Sequence, residues 1–429
     1  MEMKCARCHD APYHDFAQRD LFSLASMLNR KPVSVPATST IPGDPAALQS
    51  LLVKVTLKPG EPVPAEWPFA ERFAGPLAPE MLLNPEDRRE QLAAIMTSPG
   101  NERFHQVIVN RVWRRYLGRG LVEPVDDWET FAPSHPELLK YLGQQFVAGG
   151  SDLKSLARLI LSSQIYQRQT DSQAGIDERR ARLLAGPPPR RMTAEQVVDS
   201  LFALSGKPIN VEPMNIDVDG MRSFESSLNL GPVRRAWQFT SMSNERDRPS
   251  LSLPGAQTVV DVLETFGWRA TRPDPLTIRP QETTVLQPAI LANGVVAKRV
   301  TQLSDDSRFT EIALRDLSID EFLDALTQTI LTRLPTSEER AWFREVLSDG
   351  YAERRVPGSV PLVRPRRVTS IGVAWTNHLH PEANERKEVL KHELDRGDPP
   401  TQRLTSAWRE RAEDVVWALL NSPEFVFVP

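Results

Sequence analysis

The chain has 429 residues, enough for two or three domains with buried cores, and its 40% hydrophobic and 25% charged content is that of an ordinary globular protein. A formal net charge of -4 gives no reason to expect a nucleic-acid surface, and no stretch approaches the roughly 18–20 apolar residues of a membrane span. The 37 prolines exceed the usual share of about 5% and predict long irregular connections.

The first element is a motif. Cys5-Ala6-Arg7-Cys8-His9 contains the only two cysteines of the chain, at the C-x-x-C-H spacing of c-type haem attachment. Two thiols one turn apart can each add to a vinyl group of one porphyrin, and the adjacent His9 then lies where its imidazole can ligate the iron. Cys5, Cys8 and His9 are therefore the candidate haem c residues, with His9 the metal ligand. Met1-Glu2-Met3-Lys4 runs into this motif without a signal peptide and leaves no room for a preceding helix. Covalent haem attachment takes place outside the cytoplasmic membrane. The expectation is a C-terminal piece of a longer exported protein, and the alternative is a reduced cytoplasmic protein with an accidental motif.

Asp15–Arg30 reads as an amphipathic helix with Phe16, Phe22, Leu24, Met27 and Leu28 facing inward. Pro32–Pro79 is Pro-rich and reads as a linker or a small β insert, with a candidate strand at Leu51–Leu57. Helical signals then dominate. Asn84-Pro85 begins one helix through Met96, and a second runs from Glu102 to Leu117, stopped by Gly118 and Gly120. Ser134-His-Pro-Glu137 reads as a capping box, Asp152 opens a helix to Ser163, and Gly186-Pro-Pro-Pro189 is a break. Thr193-Ala-Glu-Gln196 caps a helix ended by Gly206. Residues 208–256 look irregular, with a strand near Arg235–Met242. Helices return at Val259–Phe266 and between Thr284 and Leu303. Ser318 caps another to about Arg333, Thr336 begins the next, and Glu382–Arg396 and Ser406–Leu420 complete the series. Tyr351–Arg367 reads as a flexible or solvated loop. The fold class that follows is mainly α, a multi-helix domain with a minor β component and long Pro-rich loops.

Several segments resemble one family when taken together. They are His105-Gln-Val-Ile-Val-Asn-Arg-Val-Trp-Arg-Arg-Tyr-Leu-Gly-Arg-Gly-Leu-Val-Glu-Pro-Val-Asp-Asp127, Pro133-Ser-His-Pro-Glu-Leu-Leu139, Leu161-Ser-Ser-Gln-Ile-Tyr-Gln167, Arg190-Arg-Met-Thr-Ala-Glu-Gln196 and Trp417-Ala-Leu-Leu-Asn-Ser-Pro-Glu-Phe425. They are similar to planctomycete-type cytochrome proteins, which join a PSCyt-type domain to a C-terminal PSD-type domain of unknown function. The resemblance implies three parts: residues 1–30 as the tail of the cytochrome-like domain, 31–79 as linker or insert, and 80–429 as the PSD-type domain. It also implies export and, by association with sulfatase-type neighbours, a link to polysaccharide breakdown, but no catalytic residue. Relatives often carry Cys-His-x-His-Pro where this chain has Cys8-His9-Asp10-Ala11-Pro12.

Other chemistry is weaker. His14, Met27, Met81 and Met96 are candidate sixth ligands, although core packing is the commoner role of a methionine. Zinc on Cys5, Cys8, His9 and His14 would strain a tetrahedron, and a thiol–disulfide role wants a preceding strand. His378-Leu-His380 with Glu382 or Glu385 offers legs of a metal site, but polar surface or capping is the commoner reading. Asp126 and Asp127, near Glu123 and Glu129, suggest paired hydrolytic carboxylates, but an Arg–carboxylate network with Arg111, Arg114, Arg115 and Arg119 is preferred. Trp67, Trp113, Trp128, Trp237 and Trp268 are more readily core or rim than sugar platforms. No P-loop, dinucleotide fingerprint, G-x-S-x-G or H-E-x-x-H occurs.

The function expected is electron transfer by an exported haem protein whose helical domain docks a redox partner or substrate. The alternatives are a non-enzymatic scaffold that binds a polysaccharide or a sulfatase-like partner, and a hydrolase using Asp126 or Asp127.

Overall fold

The computed structural model describes all residues except 1, 2, 4, 13–14, 52, 70–80, 171–172, 174–176, 217–227, 243–247, 269–281, 363–371, 374–376 and 429. Helices dominate it, and strands are confined to short two-stranded antiparallel ribbons. The chain is mainly α with a minor β component. It divides by packing into two units, residues 1–189 and residues 190–428. That division falls at the Gly186–Pro189 break, within the stretch read from sequence as one helical domain.

The first unit holds two small cores. In the first, α1 (Gln18–Asn29) packs on a ribbon in which β1 (Val33–Ser34) pairs with β2 (Pro62–Val63). Phe22, Val35, Leu57 and Val63 are buried together, so the Pro-rich stretch contributes core. No strand forms at 51–57 among the described residues, because Val53 N–H turns back to the Leu48 carbonyl (2.9 Å). Of the inward set expected for α1, Phe16, Phe22 and Met27 are buried, Leu24 is half-buried and Leu28 is 52% exposed.

The second core is built by α3 (Glu102–Leu117), α4 (Pro136–Ala148) and α5 (Leu153–Leu161), while the preceding α2 (Arg88–Thr97) packs on α1. Val109, Trp113 and Leu117 form the buried stripe of α3 and meet Leu139, Leu142 and Phe146 of α4, with Leu156 and Ile160 from α5. Asn101 caps α3 through the Phe104 N–H (3.1 Å), and Gly118 ends it in the left-handed conformation at φ 77°. Asp152 caps α5 through two N–H groups. Two expected caps lie elsewhere. Asp87, not Asn84, caps α2, while Glu90 accepts the N–H groups of Leu83 and Asn84. Ser134 makes no capping box, because its N–H and hydroxyl both donate to the Leu121 carbonyl (2.7 and 3.1 Å), and Pro136 opens α4.

The second unit starts with β3 (Arg190–Arg191) and continues through α6 (Ala194–Ser205). A short ribbon follows, β4 (Asn215–Ile216) against β5 (Leu228–Asn229). The next helices are α7 (Ala236–Met242), α8 (Pro254–Thr265), α9 (Leu286–Asn293), α10 (Val295–Thr301) and α11 (Arg308–Leu314). The remainder are α12 (Ile319–Leu331), α13 (Ser337–Ser348), α14 (Pro381–Arg396) and α15 (Ser406–Leu420), before β6 (Phe427–Val428) pairs antiparallel with β3. One continuous core joins α6, α8, α12 and α15, with Val197, Leu201, Leu263, Phe322, Trp408 and Val416 among its members. Capping boxes at Thr193, Ser318 and Thr336 start α6, α12 and α13.

The strand expected near Arg235–Met242 is a helix. The N–H groups at its start are satisfied by one local and one tertiary partner, and the tertiary one leaves no local pattern. Gln238 accepts from Arg234 and Arg235, and Asp199 of α6 accepts from Ala236. The loop from Tyr351 is largely exposed over its described part, which runs to Leu362, but one side chain anchors it. Arg354 is 3% exposed, donates to the carbonyls of Ala313, Tyr351 and Arg315, and stacks 4.0 Å over the Tyr351 ring.

Candidate functional site: the Cys5–His9 turn

Cys5–Arg7 is one turn of 3₁₀-helix, and the N–H groups of Cys8 and His9 both close on the Cys5 carbonyl at 3.1 and 3.2 Å. Ala6 is completely buried and anchors the turn. Cys5 is exposed and Cys8 half-buried, both as free thiols, with Cys8 Sγ 3.9 Å from the Thr38 carbonyl. The motif thus presents its sulfurs on a short, pinned turn.

His9 is half-buried, and its Nδ1 lies 2.7 Å from the Asp10 carbonyl oxygen. A carbonyl only accepts, so in the neutral ring this contact places the hydrogen on Nδ1 and the lone pair on Nε2. Nε2 is thereby the nitrogen free to bind a metal. Asp10 is itself held at both ends. Its N–H donates to the Lys54 carbonyl (2.8 Å), and its Oδ1 accepts from the Gln18 N–H (2.8 Å) and the Thr56 hydroxyl (2.7 Å). Gln18 is fully buried, and its Oε1 accepts from the N–H groups of Thr56 (2.8 Å) and Leu57 (3.1 Å).

The other candidates separate clearly. His14 lies outside the described residues. Met27 is 1% exposed and committed to the packing of α1, whereas Met81 and Met96 are 36% and 45% exposed. His380 is exposed at the start of α14, His378 is half-buried, and among the described residues no group of three or more His, Cys, Asp or Glu is placed to hold a metal ion. Trp113 and Trp268 are buried, Trp67 and Trp128 half-buried, and Trp237 is 55% exposed.

The acidic segment after α3 is a pinned loop. Asp126 pairs with Arg111 at 2.6 Å, and Glu123 lies 3.6 Å from Arg114 while accepting the Gly120 N–H. Asp127 Oδ1 caps a turn at Glu129 and Thr130. Its centre is Asn110, fully buried on α3. Asn110 Oδ1 accepts from the N–H groups of Leu121 (2.6 Å) and Val122 (3.0 Å), and Nδ2 donates to the Val122 carbonyl (2.9 Å). These carboxylates serve architecture, with Asp126 and Glu123 tied to arginines of α3.

In the second unit, sequence reasoning missed a buried ionic cluster. Lys207 Nζ is fully enclosed, donates to the Arg299 carbonyl (2.6 Å) and lies 3.3 Å from Asp398, which also pairs with Arg299 at 3.2 Å. Burial pushes the Lys207 ammonium below its ordinary range against the opposing pull of Asp398. Burial raises Asp398, but Arg299 and Lys207 outweigh it and hold the carboxyl low. Glu212 was missed too. It is buried, and its two oxygens accept the N–H groups of Gly255 and Ala256 at the start of α8, both at 2.8 Å. An isolated Lys or Glu in an irregular stretch carries no signal of such burial. Asn110 does carry one, because it falls on the Val109–Trp113–Leu117 stripe.

No curated protein and no solved structure matches the chain. A family model described as PSD1, a protein of unknown function (DUF1553), matches residues 88–347. It spans α2, the three-helix core of the first unit and the second unit into α13. The chain belongs to this PSD1 (DUF1553) family.

Proposed function

We propose that the Cys5–His9 turn is a covalent haem c attachment site in an exported redox protein, whose helical units dock a redox partner or substrate. The observation that carries this reading is the arrangement of His9: Nδ1 engaged by the Asp10 carbonyl, Nε2 free, and two accessible thiols on the same turn. A metal-ligating histidine characteristically donates its other ring N–H to such an acceptor. Cys5 and Cys8 would hold the porphyrin by thioethers and His9 would offer Nε2 to the iron. Bound there, haem would supply one-electron redox chemistry. The chain's own residues fix the spacing of the thiols through the turn that Ala6 anchors, and orient the imidazole. A further iron ligand, if the haem takes one, would come more readily from the exposed Met81 or Met96 than from Met27, which is taken up by the core.

The test is a pyridine haemochrome spectrum of the chain exported from a host with c-type maturation machinery, beside Cys5→Ala/Cys8→Ala. Covalent haem in the wild type and none in the double variant supports the proposal. A colourless wild type overturns it and leaves the helical units as a binding or scaffold module, with glycans the first ligands to try.

A further inference from the structure

We infer that Asp10 and Thr56, with Gln18 behind them, are positioning residues that set the ring orientation and tautomer of His9. This rests on the haem reading for its purpose but not for its geometry. The carbonyl that engages His9 Nδ1 belongs to Asp10, so the ring is only as well placed as that peptide. Asp10 sits between two segments: its side chain accepts from the first N–H of α1 and from Thr56, and its N–H reaches Lys54. Gln18 joins the same partners from below. Its buried side-chain amide accepts from Thr56 and Leu57 and lies 3.4 Å from the Ser39 carbonyl on the donor side.

The fully buried amide reads one way only. Exchanging its oxygen and nitrogen would face two N–H groups with another donor and leave the Ser39 carbonyl facing an oxygen. Gln18 therefore locks the 54–57 segment, that segment and α1 lock Asp10, and Asp10 locks His9. An axial ligand so supported loses little orientational freedom on binding iron, and its donated Nδ1 hydrogen makes Nε2 a stronger donor.

The experiment reads His9 first in the unloaded chain. Ring ¹⁵N resonances of histidine-labelled protein, assigned with His9→Gln and recorded where imidazole is neutral, distinguish the protonated nitrogen. The wild type should show hydrogen on Nδ1 and two well-separated resonances. Asp10→Asn retains the Oδ1 acceptor and should leave that spectrum in place. Asp10→Ala removes both side-chain bonds and should collapse the pair towards a tautomer average. Thr56→Val alters an exposed position without changing charge and should move it the same way, which keeps the test available if Asp10→Ala does not fold. In the haem-loaded chain, Thr56→Val should keep the covalent haem content and raise the reduction potential, because a less well-engaged imidazole is the weaker donor to ferric iron. A wild-type ring protonated on Nε2, or a spectrum unmoved by Asp10→Ala and Thr56→Val, overturns the inference. Failure of haem attachment appears in the haemochrome assay, independently of the ring spectrum.

Discussion

Asn110 shows how one polar side chain on an apolar helical stripe can hold a whole loop. Its amide satisfies two N–H groups and one carbonyl that the 118–134 excursion would otherwise bury unpaired. Gly120 makes room for it: a Cβ there would stand 2.6 Å from the Val122 carbonyl oxygen and 3.0 Å from Asn110 Oδ1. Asn110→Ala should cost about 3 kcal/mol locally, the scale of leaving buried backbone groups unsatisfied. Hydrogen exchange would read this as roughly a hundredfold faster exchange at the Leu121 and Val122 amides. Gly120→Ala should accelerate the same amides, and the double variant should do less than the sum because both loosen one loop. At this scale the sequence was partly legible. Asn110 stood on the buried face, and the arginine partners of Glu123 and Asp126 followed from the run of charges on α3. The Asp10–Gln18–Thr56 network was not legible, because it joins residues whose proximity is created by the ribbon.

Helix starts were the most readable elements wherever the cap is local. Thr193, Ser318 and Thr336 each meet a Glu or Gln three residues on, and all three boxes form. The start of α7 depends on Asp199 from another helix, so a seven-residue run with apolar positions at both spacings reads equally well as a strand. The box at Thr336 is also a charge site. Arg333 is held by Glu339 and by Glu424 at 2.8 Å each, and its bond to Glu339 lowers that carboxyl from 4.5 to about 2. A carboxylate depressed by folding stabilises the native state fully above its unfolded value, and that contribution fades as pH falls from about 4.5 towards 2. Arg333→Met should therefore move the Glu339 titration up towards 4.5 and weaken this pH dependence, leaving the smaller part that the Thr336 bonds supply. Carboxyl ¹³C shifts of Glu339 followed through acid titration check it, and an unchanged titration would contradict the assignment.

At the scale of the molecule, the Gly186–Pro189 break is plain in the sequence, but nothing there marks it as the boundary between packing units inside the 80–429 stretch, and the extent of the second unit is not legible either. Its core needs Trp408, Val415, Val416, Leu419 and Leu420 from α15, all beyond the end of the family match at residue 347. Residues 190–428 made alone should unfold in a cooperative thermal transition. Residues 190–347 should not, since the helices they keep lose the apolar face they pack on. Circular dichroism melts of the two fragments decide this. Two-residue strands carry no periodicity, which is why the pairing that closes this unit left no trace in the sequence pattern.

That pairing brings the first and last segments of the second unit side by side, Arg190 opposite Val428 and Arg191 opposite Phe427, with Met192 N–H donating to the Val426 carbonyl (2.8 Å). The ribosome delivers a chain from its N-terminal end. β3 therefore leaves the exit tunnel long before its ribbon partner β6 exists, and α6, α8 and α12 gather without the helix that completes their core. Assembly of this unit cannot finish until residues 427–428 have been made. It ends with a zipping step made after the last codon of the unit has been read.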